Sequence, residues 1–269
     1  MDIQDTYKCN LMNLAALARY LSVAPDTLIG YYEELRQDQM FLDGLNQRIH
    51  LVRTQYGFDK AIFRMGRVPS IDWFAFERVL IYVLVRHFRP TVLLETGVYY
   101  GGNTAFLLAG LARNGHGRLV SVDFPDAEIR RVGGPNRHPQ VGDSELYSDS
   151  LRPGFIIPDY LRPNWTLHEG DSLQVIPTLT DRFDFYIHDS DHAMDFVRRE
   201  MAAAWERLTD DAVLLVDDID WSNAFYEFCV RLRLFPLLLS DNGKDDLRVR
   251  TGIAWRAHPR NREPMVTGG

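Results

Sequence analysis

Two groups of acidic residues each follow a short apolar segment, and together they could bind a divalent cation. Asp189 comes just after the segment 183–187, and the pair Asp217 and Asp218 follows the segment 212–216. If both segments are neighbouring parallel strands, these carboxylates meet at one edge of a sheet, where they repel one another and lose hydration. A hard cation removes that conflict, and oxygen ligands select Mg²⁺, Ca²⁺ or Mn²⁺ over Zn²⁺. The sequence therefore predicts a metal site formed by Asp189, Asp217 and Asp218.

Other polar residues beside these acids have a simpler interpretation. Asp191, Asp195 and Asp220 are typical of exposed helix caps and turns. His188 falls within the alternation of the strand, so its side chain is expected to pack against its neighbours. None of these four residues is taken as a metal ligand.

A glycine-rich turn after an earlier apolar segment, 91–95, could bind a second ligand. The turn contains Gly97 and Gly101, which allow the backbone to curl tightly and approach a ligand, and the helix that follows points its positive end at the same place. The spacing lacks the GxGxxG of dinucleotide-binding turns. Instead Glu95 precedes a GxxxG, and a buried carboxylate needs a partner, which a positively charged ligand would supply. A purely structural strand-to-helix turn is the alternative.

Two further acids end later strands. Asp123 lies 26 positions after Gly97, where a carboxylate could accept hydrogen bonds from two ribose hydroxyls. Asp171, followed by Ser172, could accept a hydrogen bond from an adenine amino group. The alternatives are a turn residue for Asp123 and a helix N-cap for Asp171.

Taken together, these positions resemble the class I S-adenosylmethionine-dependent methyltransferases. The run Glu95-x-Gly97-x-x-x-Gly101-x-x-Thr104 is similar to the first motif of that superfamily, and Asp123 and Gly170-Asp171-Ser172 fall where its ribose and adenine contacts fall. The resemblance covers about residues 70–257 and implies S-adenosylmethionine as the cofactor, bound on a seven-stranded sheet whose last strand is antiparallel. The cofactor-binding residues that it implies are Glu95, Gly97, Tyr99, Gly101, Asn103, Thr104, Asp123, Asp171, Ser172 and Asp189.

The acidic groups add a narrower resemblance, to metal-dependent small-molecule O-methyltransferases of the catechol and sugar types. The Asp-Ser-Asp-His run that begins at Asp189 also resembles the cephalosporin-hydroxylase-like group. In the O-methyltransferases, one acid after the fourth strand and an acidic or amide pair after the fifth hold the metal, which implies Asp189, Asp217 and Asp218 with Mg²⁺ or another divalent cation. A basic residue three positions beyond the first ligand is the general base, and His192 holds that position. The implied catalytic residues are His192 and Asp189, and the implied acceptor is a hydroxyl of a sugar or phenol of secondary metabolism.

The elements that must position these residues alternate between apolar strands and helices from residue 72 onward. This alternation predicts an α/β, Rossmann-like, seven-stranded, mostly parallel sheet with helices on both faces. Residues 7–49 instead carry apolar positions at helical spacing and predict an N-terminal helical extension of two or three helices, broken near Pro25. The predicted strands are 91–95, 118–123, 165–169, 183–187, 212–216, 235–239 and 251–255, and the predicted helices of the sheet domain are 72–88, 103–111 and 193–208.

We expect two segments along the chain. Residues 1–68 form the helical extension, as a cap or an oligomerisation element, and residues 69–269 form the cofactor-binding domain. Residues 124–164 interrupt the alternation and are rich in proline and glycine. A long irregular segment that leaves the carboxyl end of a strand is typical of a lid over the ligand. Homo-oligomer formation through the N-terminal helices is a further expectation.

The composition of the chain limits the binding partners and the cellular compartment that we expect for it. The 269 residues carry a net charge of −7, with 46% hydrophobic and 25% charged residues, which argues against a nucleic-acid partner. The N-terminus has no apolar core of a signal peptide, and the longest strongly apolar run, 79–85, is too short to cross a bilayer. The two cysteines, Cys9 and Cys229, lack metal-ligand spacing and suit a reducing compartment. We therefore expect a cytoplasmic enzyme that neither binds nucleic acid nor enters a membrane.

Three other hypotheses stay open at the level of the sequence. The first is a metal-independent methyltransferase or a hydroxylase-like relative, in which the acids position a polar substrate. The second is a nicotinamide-dependent oxidoreductase on a related sheet, against which the missing GxGxxG argues. The third is a non-catalytic cofactor-binding subunit of an oligomer.

Overall fold

A seven-stranded sheet forms the centre of the molecule. The computed structural model describes residues 3–56, 67–124, 152–240 and 249–262. The strands that it contains are β1 Val92–Thr96, β2 Arg118–Asp123, β3 Trp165–Glu169, β4 Phe183–His188, β5 Leu208–Val216, β6 Pro236–Ser240 and β7 Val249–Trp255.

The strand order explains why distant parts of the sequence meet. The sheet runs β3-β2-β1-β4-β5-β7-β6, with β7 antiparallel to both of its neighbours and the strands from β3 to β5 parallel. Because β4 lies between β1 and β5, the carboxyl ends of these three strands meet at one edge. The predicted mostly parallel, Rossmann-like sheet is confirmed, as is the antiparallel last strand.

Eight α-helices surround the sheet in the described part of the chain. Short 3₁₀ turns at Ile71–Trp73, Asp159–Asn164, Ile176–Thr178 and Pro259–Arg262 supplement them. The α-helices are α1 Ile3–Leu21, α2 Pro25–Arg36, α3 Gln39–Tyr56, α4 Phe76–Phe88, α5 Gly102–Asn114, α6 Ser172–Val175, α7 Met194–Trp205 and α8 Ala224–Leu232.

Alternation along the strands sends successive side chains into two hydrophobic cores. Leu93 of β1 is buried against helices on one face, whereas the next residue, Leu94, is buried in the core on the other face. The first core includes Phe106 of α5, and the second includes Met201 of α7 and Phe228 of α8. Both faces are therefore covered by helices, as the apolar strands predicted.

The N-terminal helices belong to the first of these cores. Leu17 and Leu28 are fully buried in the same cluster as Leu93 of the sheet. The Tyr20 hydroxyl donates to the backbone oxygen of Phe235 at 2.9 Å, which fastens α1 beside the edge strand β6. The boundary predicted between residues 68 and 69 thus separates two segments that share one core. A role of these helices in a cap or in oligomers stays a prediction.

The bounds differ from the sequence prediction where the apolar pattern was ambiguous. The helix expected from residue 72 begins at Phe76, because the Ser70 side chain accepts from the Asp72 amide and closes a short 3₁₀ turn first. Strand β5 begins at Leu208, four positions before the expected start, because Asp210 and Asp211 are exposed and hide the strand from an apolar pattern. No helix among residues 3–56, 67–124, 152–240 and 249–262 combines the length and hydropathy of a membrane span.

Candidate active site

The glycine turn joins β1 to α5 at the carboxyl edge of the sheet. Gly97 and Gly101 have φ values of +84° and +91°, which confirms the tight curl predicted there. The space beside each glycine is filled by protein, however. A Cβ on Gly97 would lie 1.8 Å from the backbone oxygen of Asp189, and one on Gly101 would lie 2.8 Å from the Cα of Gly154. These glycines therefore let the end of β4 and the segment 152–158 pack directly against the turn.

We predict that Gly97→Ala destabilises the protein severely, because it adds a steric clash with backbone to an unfavourable φ. Left-handed strain and overpacking together are expected to cost more than about 3 kcal/mol. Gly115→Ala is the matched control, since Gly115 also has a positive φ, +73°, but no atom lies within 4 Å of its Cβ position. We expect this control to cost about 1–2 kcal/mol. Chemical denaturation of both variants measures the difference, and equal losses would contradict the packing argument.

Glu95 lies beneath the turn rather than in open space. Its side chain is fully buried, and its carboxylate accepts hydrogen bonds from the Thr104 hydroxyl at 2.9 Å and the Ser121 hydroxyl at 2.6 Å. Burial raises the pKa of Glu95 to about 8, against the lowering effect of both hydroxyls. The partner expected from a positively charged ligand is thus supplied, in this structure, by two protein hydroxyls. The implied cofactor residues Glu95 and Thr104 bind each other.

The raised pKa of Glu95 predicts a pH-dependent stability of the ligand-free protein. The folded state holds the Glu95 proton up to a pKa of about 8, whereas the unfolded carboxyl releases it near 4.5, so the free energy of unfolding falls as the pH rises between these values. We expect Glu95→Gln to make that decline shallower by an amount on the order of a few kcal/mol. Denaturation at several pH values measures it. Glu206→Gln, at an exposed glutamate, should keep the wild-type slope, and an unchanged slope in Glu95→Gln would refute the assignment.

The two acids assigned to the nucleoside lie at the ends of β2 and β3. Asp123 Oδ2 accepts from the Tyr99 backbone amide at 2.8 Å, so this acid is tied to the glycine turn. Asp171 accepts from the Leu173 amide at 2.9 Å and caps α6, which is the alternative that its sequence position allowed. Ser172, the first residue of α6, is buried. Ribose and adenine contacts by these residues stay predictions.

Asp189 and Asp217 come together at the ends of adjacent strands. The Asp189 amide donates to the Thr96 oxygen at 2.9 Å and the Asp217 amide to the His188 oxygen at 3.0 Å, so both acids continue the hydrogen bonding of the sheet. A third acid, Glu77 of α4, completes a cluster in which one carboxylate oxygen of each residue lies within 4.8 Å of the others. These three acids are hereafter called the acid cluster.

Glu77 was not predicted from the sequence, whereas Asp218 was predicted to be a metal ligand together with Asp189 and Asp217. Asp218 has a φ of +49°, and its carboxylate lies 3.4 Å from Nη1 of Arg250 and 3.6 Å from Nε2 of His192. The Asp218 carboxylate therefore pairs with the guanidinium of Arg250 on β7 and also lies near His192. A metal contact by Asp218 stays a prediction. Acidic residues are common in the first turn of a helix because the positive end of the helix dipole favours them. The position of Glu77 in the sequence therefore did not indicate a metal ligand.

Electrostatics within the acid cluster favour a cation. The pKa of Asp189 is raised well above its ordinary value, first by burial and then by the charges of Asp217 and Asp218. The Arg78 guanidinium opposes this shift without cancelling it. Asn103 also contacts the cluster, since its amide nitrogen donates to Glu77 at 3.0 Å and to Asp189 at 2.8 Å.

The two histidines of this region have different surroundings. His188 is fully buried and its Nδ1 is paired with the buried Glu200, as expected for a packed side chain. His192 is partly exposed, and its Nε2 lies 4.0 Å from Oδ1 of Asp189. The His192 ring also lies against Trp221, with ring centroids 5.0 Å apart. The structure therefore brings His192 to the acid cluster and leaves His188 beneath it.

The remaining polar residues near the site behave as the sequence suggested. Asp191 accepts from the Ala193 amide at 2.8 Å just before α7, and Asp195 is exposed and paired with Arg198. Residues 152–158 of the expected lid bond to the glycine turn, with the Gly154 amide donating to the Tyr99 oxygen at 2.8 Å. Residues 125–151 of that segment lie outside the described residues, so a lid stays a prediction.

Comparisons with known proteins found one matching family model and several solved structures that are similar to this chain. Residues 94–219 match a family model described as a methyltransferase domain. The O-methyltransferase TomG from Streptomyces achromogenes, solved in complex with S-adenosylmethionine, has a similar structure with a TM-score of 0.54 at 15% identity, over 84% of this chain and 94% of that one. An O-methyltransferase from Bacillus cereus, solved with S-adenosylhomocysteine, gives a TM-score of 0.52 at 18% identity, over 82% and 93% of the two chains. No curated protein matches the sequence.

The family model covers the part of the molecule that contains the candidate site. The family model begins in β1 and ends just after β5, so it contains the glycine turn, Asp123, Asp171 and the acids that follow β4 and β5. The structural similarity extends over most of the chain. Residues 94–219 therefore resemble a methyltransferase domain, and the chain shares the fold of these two solved O-methyltransferases, a seven-stranded, mostly parallel sheet covered by helices.

Proposed function

We propose that this chain transfers a methyl group from S-adenosylmethionine to a hydroxyl of a small molecule, with His192 as the general base and a divalent cation as an aid. One observation carries the proposal: the glycine turn and the acid cluster are contiguous, because Gly97 packs directly against the backbone of Asp189. A donor held at the turn and an acceptor held at the acids would therefore be neighbours. The two solved O-methyltransferases of this fold, with the donor or its product bound, support the choice of donor.

The residues around the turn suit the donor. S-adenosylmethionine supplies an electrophilic methyl group on a sulfonium, and the thioether that leaves is neutral, so no acid is needed to protonate it. The helix α5 has Gly101 as its N-cap and no side-chain cap, which leaves its first amides available to a ligand. Asp123, whose Oδ2 accepts from the Tyr99 amide at 2.8 Å, would accept hydrogen bonds from the ribose hydroxyls of the donor.

The acceptor's proton is the main chemical demand on the protein. A hydroxyl is a poor nucleophile until it loses its proton, and a histidine side chain is a base suited to neutral pH. His192 Nε2 lies 4.0 Å from a carboxylate oxygen of Asp189 and 3.6 Å from one of Asp218, so the negative charge of these acids would stabilise the positive charge that the ring gains. The proton of the acceptor would pass to this nitrogen as the methyl group moves to the oxygen.

The acid cluster fits a divalent cation by its donor chemistry. Glu77, Asp189 and Asp217 supply carboxylate oxygens, which suit Mg²⁺ or Mn²⁺. A bound cation would supply positive charge that stabilises negative charge developing on an acceptor oxygen. One observation favours the alternative of a metal-independent transferase: the Arg78 guanidinium already offsets part of the charge on Asp189.

Calorimetric titration and methyl transfer test the proposal together. We expect the protein to bind S-adenosylhomocysteine and not NAD, and to move a radiolabelled methyl group from S-adenosylmethionine to members of a panel of sugars and phenols. If the protein binds NAD and does not bind S-adenosylhomocysteine, the result would indicate an oxidoreductase and not a methyltransferase. Tight binding of S-adenosylhomocysteine without transfer to any acceptor would indicate a non-catalytic subunit.

A further inference from the structure

The first turns of α4 and α5 pack against each other beside the acid cluster. Two contacts join them, Glu77 with Asn103 and Arg78 with Gly102. Glu77 of α4 accepts from the Asn103 amide nitrogen of α5 at 3.0 Å. The next residue of α4, Arg78, packs on the residue before Asn103: a Cβ on Gly102 would lie 2.9 Å from both Nε and Nη2 of the guanidinium. A guanidinium and a carboxamide are therefore held side by side where the glycine turn becomes a helix.

Asn103 carries an acceptor that the protein leaves unused. The residue is 4% exposed, and its Oδ1 is buried with no hydrogen-bond partner in the described part of the chain. The assignment of Oδ1 and Nδ2 follows from their surroundings, because the other amide atom lies 3.0 and 2.8 Å from two carboxylates and must be the donor. A buried amide oxygen without a partner is costly, so this position calls for a donor.

Arg78 carries the complementary unused group. Its Nη2 donates to the Tyr100 hydroxyl at 2.8 Å, whereas its Nε is buried and has no acceptor among residues 3–56, 67–124, 152–240 and 249–262. The charge lies against the N-terminus of α5, whose partial positive charge adds to it. An anion is the group that both features favour.

We propose that Arg78 and Asn103 bind the amino-acid end of the methyl donor, an inference that rests on the proposed function. Arg78 and the first amides of α5 bind the α-carboxylate, while the buried Asn103 Oδ1 binds the α-ammonium. A metal ion alone would leave the Arg78 Nε without an acceptor, and a simple anion would leave the Asn103 oxygen without a donor. A zwitterionic α-amino acid satisfies both.

The test measures, by calorimetry in the presence of Mg²⁺, the binding of three ligands from which the carboxylate and then the amine are removed. S-adenosylhomocysteine has both head groups, its decarboxylated analogue keeps only the amine, and 5′-methylthioadenosine has neither. We expect Arg78→Met to weaken S-adenosylhomocysteine binding about 10- to 100-fold and to leave the other two affinities within about twofold. Arg118→Met is the control, since Arg118 is exposed at the opposite end of β2, and it should change none of the three.

Asn103→Leu tests the ammonium half. It should weaken S-adenosylhomocysteine and the decarboxylated analogue alike, and it should spare 5′-methylthioadenosine. Arg78→Lys, which keeps the charge but loses Nε, is expected to bind S-adenosylhomocysteine with an intermediate affinity, and it provides the test if Arg78→Met does not fold.

The failures of the two proposals can be told apart. If wild-type protein binds none of the three ligands, the proposed function fails and the inference falls with it. If wild-type protein binds them but Arg78→Met weakens all three equally, or none, the transferase stands and Arg78 serves only to balance the acids. Loss confined to the ligand that carries the carboxylate supports the inference.

Discussion

Replacing His192 with glutamine is expected to lower kcat roughly 10²- to 10⁴-fold, the range that loss of a general base produces. Glutamine keeps a polar side chain of similar reach but cannot accept a proton at neutral pH. Because His192 lies beside the acids and Trp221, where the acceptor is proposed to bind, the affinity for S-adenosylhomocysteine should change little. Steady-state kinetics with an identified acceptor, together with calorimetry, measures both quantities.

The matched control for this change is His116→Gln. His116 is an exposed histidine in the loop before β2, away from the carboxyl edge of the sheet, so its replacement should leave kcat unchanged. Recovery of part of the activity of His192→Ala by added imidazole would strengthen the assignment. A His192→Gln variant that keeps kcat within tenfold of wild type would remove His192 from the proton transfer.

Removal of the proposed cation is expected to have an effect of similar size. We predict that EDTA, or the substitution Asp217→Asn, lowers kcat at least about 100-fold, because charge stabilisation by a cation contributes several kcal/mol. Binding of S-adenosylhomocysteine should persist. Asp217→Asn should also raise the stability of the metal-free protein, since the Asp217 charge contributes to the raised pKa of Asp189.

A titration with Mg²⁺ shows whether Asp217→Asn lowers activity because Asp217 is a metal ligand or only because one negative charge is lost. Excess Mg²⁺ should restore part of the activity of Asp217→Asn, and the concentration needed by wild-type protein should fall as the pH rises, because the cation competes with the proton on Asp189. Asp191→Asn is the control, since Asp191 caps the segment before α7 and asparagine can accept the same hydrogen bond. Full activity after chelation would exclude the metal and leave the metal-independent transferase.

The sequence predicted the sheet well because the strands signal their presence locally. The bounds of β2 and β3 agree with the prediction, and the order of acids and glycines along the chain placed the strand ends that carry them. Strand β5 was predicted too short because Asp210 and Asp211 at its start are exposed. A strand whose first residues are polar has no local pattern that reveals it.

The site was predicted less completely because its last contacts are tertiary. The adjacency of β4 and β5 placed Asp189 beside Asp217, as the parallel sheet required. Glu77 reaches the cluster from a helix 112 positions before Asp189, and Asp218 is drawn to Arg250 on β7. The hydroxyl partners of Glu95 come from α5 and β2. Hydrophobic periodicity contains no information on any of these contacts.

Anomalous scattering of Mn²⁺, in crystals grown with S-adenosylhomocysteine, would show whether the acid cluster binds a cation next to the donor site. We expect one anomalous peak among the carboxylates of Glu77, Asp189 and Asp217, with the sulfur of the product beside the glycine turn. Well-ordered product at the turn without a peak, and with the three carboxylates paired only to Arg78 and Asn103, would contradict this expectation.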